Sequence, residues 1–410
     1  MDQKKRVVVT GMGTINAVAG CIPEFARALQ EGICGISEID LFDTTGFNCH
    51  KGGQIKNFLP RNCIPRNFSL KRASRADMLS FTATLEALRD AGLYTLPVEI
   101  KENMGIAIGG GSGGLLEGEN FYGDFLIKSG KRTRFSKLSS IYCASSADYI
   151  ASHLSLQGPK ITLMTACSSG ATVLGYARDL IRNGQAFMML AGGVEPLCRI
   201  TYAAFNALKA LDPNACKPFD RKRNGLSLGE AAAMMVLEPL DAALMRGARI
   251  YGEILGYGVT CDSFHMTAPD DQASGAIRSM KAAIEDSGFS HEDIGYINAH
   301  GTATLANDVM ETKAIKEVFG KRAYAIPVSS TKSMTGHTLG AAGALEGVVS
   351  LLAISRGFVP PTINHDDPDP LCDLDYITEG ARPARLQAVL SNSFAFGGNN
   401  TTIIFGRYNE

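Results

Sequence analysis

The chain has 410 residues, a formal net charge of −1 and 45% hydrophobic residues, enough for one large core or for two domains sharing an interface. Near-neutral charge gives no basic surplus for nucleic acid, and no acidic tail points to disorder. Ten scattered cysteines without a CxxC pair exclude a small disulfide scaffold and a paired zinc site, and free thiols fit a reducing cytoplasm.

The start MDQKKR precedes an apolar run too short for a signal peptide, and no stretch reaches the ~18 apolar residues of a membrane span. Short apolar runs predict strands over Arg6–Thr10, Met104–Ile108, Ile161–Met164, Ala186–Ala191 and Ala232–Glu238. Five more are expected over Gly252–Val259, Gly295–Ala299, Ile326–Ser329, Gln387–Asn392 and Thr401–Phe405. Between them, spacing predicts helices over Arg75–Ala91, Ser168–Arg182, Ala273–Asp286, Asp308–Phe319 and Ala341–Ser355. Gly92, Gly184 and Gly320 stand where C-terminal glycine caps belong. The alternation implies an α/β fold with buried sheets, and a pseudo-duplication would have its seam near 239–252.

Three segments carry chemistry-bearing residues at strand ends, where α/β proteins place their sites. TACSSG (Thr165 to Gly170) sets Cys167 between a strand and a helix. A helix N-terminus favours a thiolate, and the small neighbours Ala166, Ser168, Ser169 and Gly170 are expected to let a substrate come close. NAHGTAT places His300 after a strand, and TKSMTGHTLGAAGALE places His337 after another. A fourth segment, SNSFAFGGNN, offers Phe396, Gly397 and Gly398, whose backbone N–H groups are expected to face an oxyanion. GGGSGG (Gly109 to Gly114) satisfies GxGxxG, but no acidic partner on a second strand is evident, so it is read as turns near a pocket or a dimer seam.

These motifs, with KPFDRKRNGLSLGEAAA and CDSFHMTAP, resemble the elongating β-ketoacyl-acyl-carrier-protein synthases from Arg6 to Phe405. The resemblance implies a thiolase fold of five layers (αβαβα), with a nucleophile-bearing half over 1–251 and a two-histidine half over 252–410. It implies that Cys167 holds the acyl chain as a thioester. The amides of Cys167 and Phe396 would then form an oxyanion hole, and His300 and His337 would bind the enolate made from malonyl-carrier protein. Lys332 and Glu346 match a pair that organises the site. Phe396 matches a gate, with Asp262 and His265 on a second mobile loop. Thr267, Thr302 and Thr304 would line the phosphopantetheine arm, and Ser112 and Phe205 the acyl chain. No metal or dissociable cofactor is implied, because the phosphopantetheine belongs to the carrier.

The partners implied are an acidic acyl carrier protein and a second copy or a related subunit. Two basic clusters are candidates for carrier docking: Lys71, Arg72 and Arg75, and Lys128, Lys131, Arg132, Arg134 and Lys137.

Several positions depart from the family pattern: Leu305, Asn224, Ala231, Ala395, Asn399 and Ser112. Ala395 in place of Gly is expected to stiffen the gate. Ser112 is expected to make the acyl pocket roomier or more polar, which points to a specialised chain such as a polyene. A thiolase needs a second cysteine as base, and the last one here, Cys372, lies in a polar loop. The initiating synthases pair Cys with His and Asn, against which His337 argues. A non-catalytic chain-length subunit of a heterodimer would typically lack Cys167.

Overall fold

The structure, a computed structural model, describes residues 5–127 and 135–409. Among them, ten strands form one continuous sheet. They are β1 (Val7–Asn16), β2 (Met104–Gly109), β3 (Lys160–Leu163), β4 (Met188–Glu195) and β5 (Ala231–Pro239). The second five are β6 (Gly252–Cys261), β7 (Ile294–Asn298), β8 (Val328–Ser329), β9 (Ala388–Ala395) and β10 (Asn399–Gly406).

The order is β3-β2-β4-β5-β1-β6-β10-β9-β7-β8. Read from each outer edge inward, both halves follow the same chain sequence: third, second, fourth, fifth, first. In each, the outer three strands are parallel and the inner two antiparallel. The halves join through β1 and β6, where Val8 pairs with Glu253 and Val9 with Gly252.

Five helices place the site: α1 (Arg75–Asp90), α2 (Ser169–Arg182), α3 (Ser274–Ser287), α4 (Leu305–Phe319) and α5 (Ala342–Arg356). Along β5, Ala231, Ala233, Met235 and Leu237 face a central core with α2 and α5. Ala232, Met234 and Val236 face an outer core with α1. In the other half, Val389, Ile403 and Phe405 join the central core, while Leu390 and Ile404 face α3 and α4. Strands buried on both faces read as unbroken apolar runs, which is why these were legible without alternation. The two halves of the continuous sheet both pack on the shared α2 and α5, giving five layers, helix–sheet–helix–sheet–helix, the thiolase architecture.

The stretch Leu339–Arg356 is long and apolar enough to cross a membrane, but 83% of it is buried inside the protein, as a central core helix is. Helix α1 starts at a capping box between Ser74 and Asp77. Helix α4 starts three residues earlier than its apolar spacing suggested, because Thr304 caps it by accepting from Asn307 N. Helices Ile22–Glu31, Leu115–Ile127, Ser145–Leu154 and Arg199–Ala207 were not predicted.

Candidate active site

Cys167 lies in a short 3-10 turn, Ala166–Ser168, that leads straight into α2. Ala166 holds φ +51, a left-handed conformation that sharpens the turn from β3 into the helix. Contrary to the expectation from the sequence, the small residues after Cys167 do not make room for substrate. Ser168, Ser169 and Gly170 are fully or nearly fully buried, and a Cβ on Gly170 would stand 2.7 Å from Ala344 N. From the other side, a Cβ on Gly343 would stand 2.5 Å from Ala171 N. These residues are small because α2 and α5 touch backbone to backbone at the nucleophile.

The helix end does not by itself make a thiolate. Burial pushes the Cys167 thiol up to about 12, and Glu195 adds to the rise. The Lys332 ammonium and backbone hydrogen bonds from Phe396 and Cys167 itself work the other way. The protonated thiol is therefore the resting form.

His300 follows β7. Its amide and that of Gly301 donate to the two oxygens of Glu311, both at 2.8 Å. His337 follows the short helix Lys332–Thr335, and its amide donates to Ser227 O at 2.7 Å. The two rings meet edge to face, with centroids 5.2 Å apart. Burial, and then the Lys332 charge, hold both imidazoles well below the usual histidine range, so both are neutral at neutral pH. Lys332 forms a buried ion pair with Glu346, whose carboxyl burial raises to about 7 against the pull of Lys332.

Cys167, His300, His337 and Phe396 line one cavity of about 380 Å³. Thr267, Thr302 and Thr304 also line it, with Asn224 and Leu305 on the wall. The Phe396 ring stacks on Phe205 with centroids 5.6 Å apart, and both line this cavity. Asp262 also lines the cavity and clasps the phenylalanine loop: its amide donates to Gly398 O, and it accepts from Asn400 Nδ2 at 2.7 Å.

Several expected roles move. The Gly397 amide is spent on Met266 O, so of that loop it is the Phe396 amide that bears on the sulphur. His265 is exposed and does not line the cavity; its Nδ1 accepts from Thr267 and Ala268 N, which shapes its own loop. Ser112 is not among the cavity-lining residues. Its amide and that of Gly111 bind the buried Glu195 carboxylate, and its hydroxyl meets Thr201 at 3.2 Å. The GGGSGG run thus wraps a carboxylate and offers no dinucleotide site.

Arg75 is not a docking residue. It is turned inward in a bidentate pair with the fully buried Glu230 and also donates to Ile55 O. Lys71 and Arg72 are exposed. Lys128, Lys131, Arg132 and Arg134 lie outside the described residues. Cys372 is buried away from the cavity, near Thr312, so it is not placed to act as a second catalytic cysteine.

Sequence reasoning missed three buried acids: Glu195, Asp308 and Glu311. Asp308 binds the amides of Phe219 and Ala303. Asp308 and Glu311 were visible as acids on the inward face of a predicted helix, a placement that demands backbone donors.

A buried thiol approached by two amides, facing a pair of neutral imidazoles, suits acyl transfer through a thioester and stabilisation of an enolate. On the five-layer fold this defines the class of thiolase-fold acyltransferases that make carbon–carbon bonds. The model of the β-ketoacyl synthase N-terminal domain matches residues 4–243, and that of the C-terminal domain matches 251–366. The 3-oxoacyl-[acyl-carrier-protein] synthase 2 of Synechocystis sp. is 41% identical, with 99% of each chain covered. A solved structure described as the ishigamide ketosynthase/chain length factor superposes at TM-score 0.94 with 36% identity, covering 99% of this chain and 100% of the other. A type II polyketide-synthase acyl-carrier protein in complex with its ketosynthase bound to the hexaketide gives TM-score 0.88 and 31% identity, at 99% and 100% coverage. The chain belongs to the β-ketoacyl synthase family.

Proposed function

We propose that this protein condenses malonyl-carrier protein with an acyl chain held on Cys167, lengthening the chain by two carbons as a 3-oxoacyl-carrier protein. The observation that carries the reading is the meeting of Cys167, two neutral imidazoles and the Phe396 amide in one cavity. In the first half-reaction the Cys167 sulphur attacks the acyl thioester. The new S–C bond forms, the bond to the carrier's arm breaks, and the thiol proton leaves with the freed arm. The amides of Cys167 and Phe396 hold the tetrahedral oxyanion.

In the second half-reaction malonyl-carrier protein enters. The bond to its carboxylate breaks and CO2 leaves. The electron pair is held as an enolate by N–H donation from His300 and His337, a task for which neutral rings are suited. The enolate carbon attacks the acyl thioester, the C–S bond to Cys167 breaks, and the released thiolate takes up a proton. Thr302 and Thr304, whose hydroxyls meet at 3.0 Å, and Thr267 flank the path of the arm. Lys332 keeps Glu346 and both imidazoles in their working charge states. No metal or organic cofactor enters these steps.

The acyl carrier protein is the partner this chemistry requires, and Lys71, Arg72 and Lys137 are the described cations offered for its docking. The repeated strand order supports two halves divided at 251/252. A second copy would add to the edge strand β3, which is only half-buried and runs into Met164, 65% exposed, with Tyr142, 73% exposed, also on the surface. A heterodimer with a related subunit is the alternative, favoured by the likeness to the ketosynthase/chain length factor structure. Ten free cysteines fit a cytoplasmic location.

The test is intact mass after incubation with a panel of acyl-carrier proteins, beside Cys167→Ala. Adducts lost in the variant establish the nucleophile, and the best-loading chain gives length and saturation. Best loading by saturated chains would remove the case for a specialised polyene. No adduct with any chain would refute the homodimeric enzyme and favour the dependent subunit.

A further inference from the structure

Strand β10 begins just beyond the phenylalanine loop, and two adjacent threonines on it point to opposite faces of the sheet. Thr401 Oγ1 meets Thr172 Oγ1 on α2 at 2.9 Å. Thr172 Oγ1 in turn meets Thr165 Oγ1 at 3.1 Å, and Ser168 Oγ donates to Thr165 Oγ1 at 3.0 Å. That chain of hydroxyls ends on the residues flanking Cys167.

Thr402 looks the other way. Its hydroxyl donates to Asn392 Oδ1 at 2.9 Å, with Ser279 Oγ at 3.1 Å on its far side. Asn392 Nδ2 donates to Glu311 Oε1 at 3.1 Å, and Glu311 receives the amides of His300 and Gly301. Thr401, Thr402, Asn392 and Glu311 are all fully buried. Water is excluded from their surroundings, so a lost partner is not readily replaced.

We propose that Thr401 and Thr402 are positioning residues that divide the two half-reactions between the faces of one strand. Thr401 sets the nucleophile turn for acylation. Thr402, through Asn392 and Glu311, sets the His300 loop for decarboxylation. This rests on the condensation reading, since it assigns each half-reaction its own support.

The physical argument is that each hydroxyl is a link whose removal leaves a specific buried group without its partner. Without the Thr402 hydroxyl, Asn392 Oδ1 is left buried without its donor, and the amide that donates to Glu311 is no longer held from its other side. The clamp on the His300 and Gly301 amides then loosens. Without the Thr401 hydroxyl, the Thr172–Thr165 link loses its anchor in the sheet, while Glu311 is untouched. Valine matches threonine in shape, so Thr401→Val and Thr402→Val remove the links without opening cavities. Thr401→Ser and Thr402→Ser restore the hydroxyls and are the rescue controls.

Each half-reaction is measured separately: acyl transfer to Cys167 by intact mass with time, and CO2 release from malonyl-carrier protein. Thr402→Val is expected to slow decarboxylation about tenfold or more while acylation changes less than about twofold. Thr401→Val is expected to do the reverse, with each serine variant recovering most of the loss. Two readouts need no turnover: the alkylation rate of Cys167 by iodoacetamide, and the His300 ring resonances by NMR. Thr401→Val should move the first, and Thr402→Val the second. If wild-type protein loads no acyl chain, the condensation reading fails, and these two readouts still decide this proposal. Equal losses in both half-reactions from both variants, following their melting temperatures, would overturn it, as would loss of decarboxylation with unmoved His300 resonances.

Discussion

Replacing Lys332 by Met tests the electrostatics of the site most directly. Lys332 and Glu346 are 2% and 4% exposed, so breaking the pair leaves a buried carboxyl without its counter-charge. The cost has a definite pH dependence. In the wild type Glu346 titrates near 7, above the 4.5 of an ordinary glutamate. A folded acid with a raised value binds its proton more tightly than the unfolded chain does, so its contribution to stability falls as pH rises through this window. Between pH 6 and 8 that fall is on the order of 1 kcal/mol for a value near 7. Without the Lys332 charge the carboxyl is pushed higher still, so it holds its proton further up the pH scale and the fall over the same two pH units steepens toward the limit of ~1.36 kcal/mol per unit. The variant should therefore be destabilised on the order of 1 kcal/mol more at pH 8 than at pH 6, several-fold in the unfolding constant. Urea titrations of both proteins at the two pH values measure this. Lys332→Met with Glu346→Gln should abolish the difference, because the titrating group is gone. An equal destabilisation at pH 6 and pH 8 would refute the reasoning.

Alkylation of Cys167 by iodoacetamide should speed up about tenfold per pH unit from 7 to 9 without levelling, since the thiol titrates near 12; a plateau below pH 8 would show a helix-end thiolate instead. Arg75→Met should cost about 3–5 kcal/mol of stability by stranding Glu230, yet leave KM for the carrier unchanged in protein that still folds. Lys71→Glu with Arg72→Glu should raise KM for acyl-carrier protein more than for a small thioester analogue, and equal effects would remove these residues from docking. Gly170→Ala should lower stability by about 1–3 kcal/mol, because its Cβ meets Ala344 backbone, and should slow acylation along with it. A stabilised protein with unchanged acylation would show that α2 and α5 have room to part.

What the sequence determined by itself was the periodic and the local. Each of the ten sheet strands overlaps a run read from the sequence, and the central ones, buried on both faces, need no polar alternation. Glycine ends were legible because Gly92, Gly184 and Gly320 adopt positive φ. Cys167, His300 and His337 were legible because each sits in a distinctive motif, the first two beside strand ends and His337 one short helix, Lys332–Thr335, beyond its strand.

What only tertiary structure decided was the partner of each group. Arg75 looked like a surface cation in a basic cluster, and only the fold brings Glu230 to it from 155 residues away. Ser112 looked like a pocket residue, and only the fold shows its amide bound to Glu195. The small residues after Cys167 looked like room for a substrate, and only the meeting of α2 with α5 shows that they make room for a helix. The Cys167 thiol followed the same rule. A helix N-terminus is local and can be read from letters. Desolvation is set by everything packed around the sulphur, and it is the larger effect.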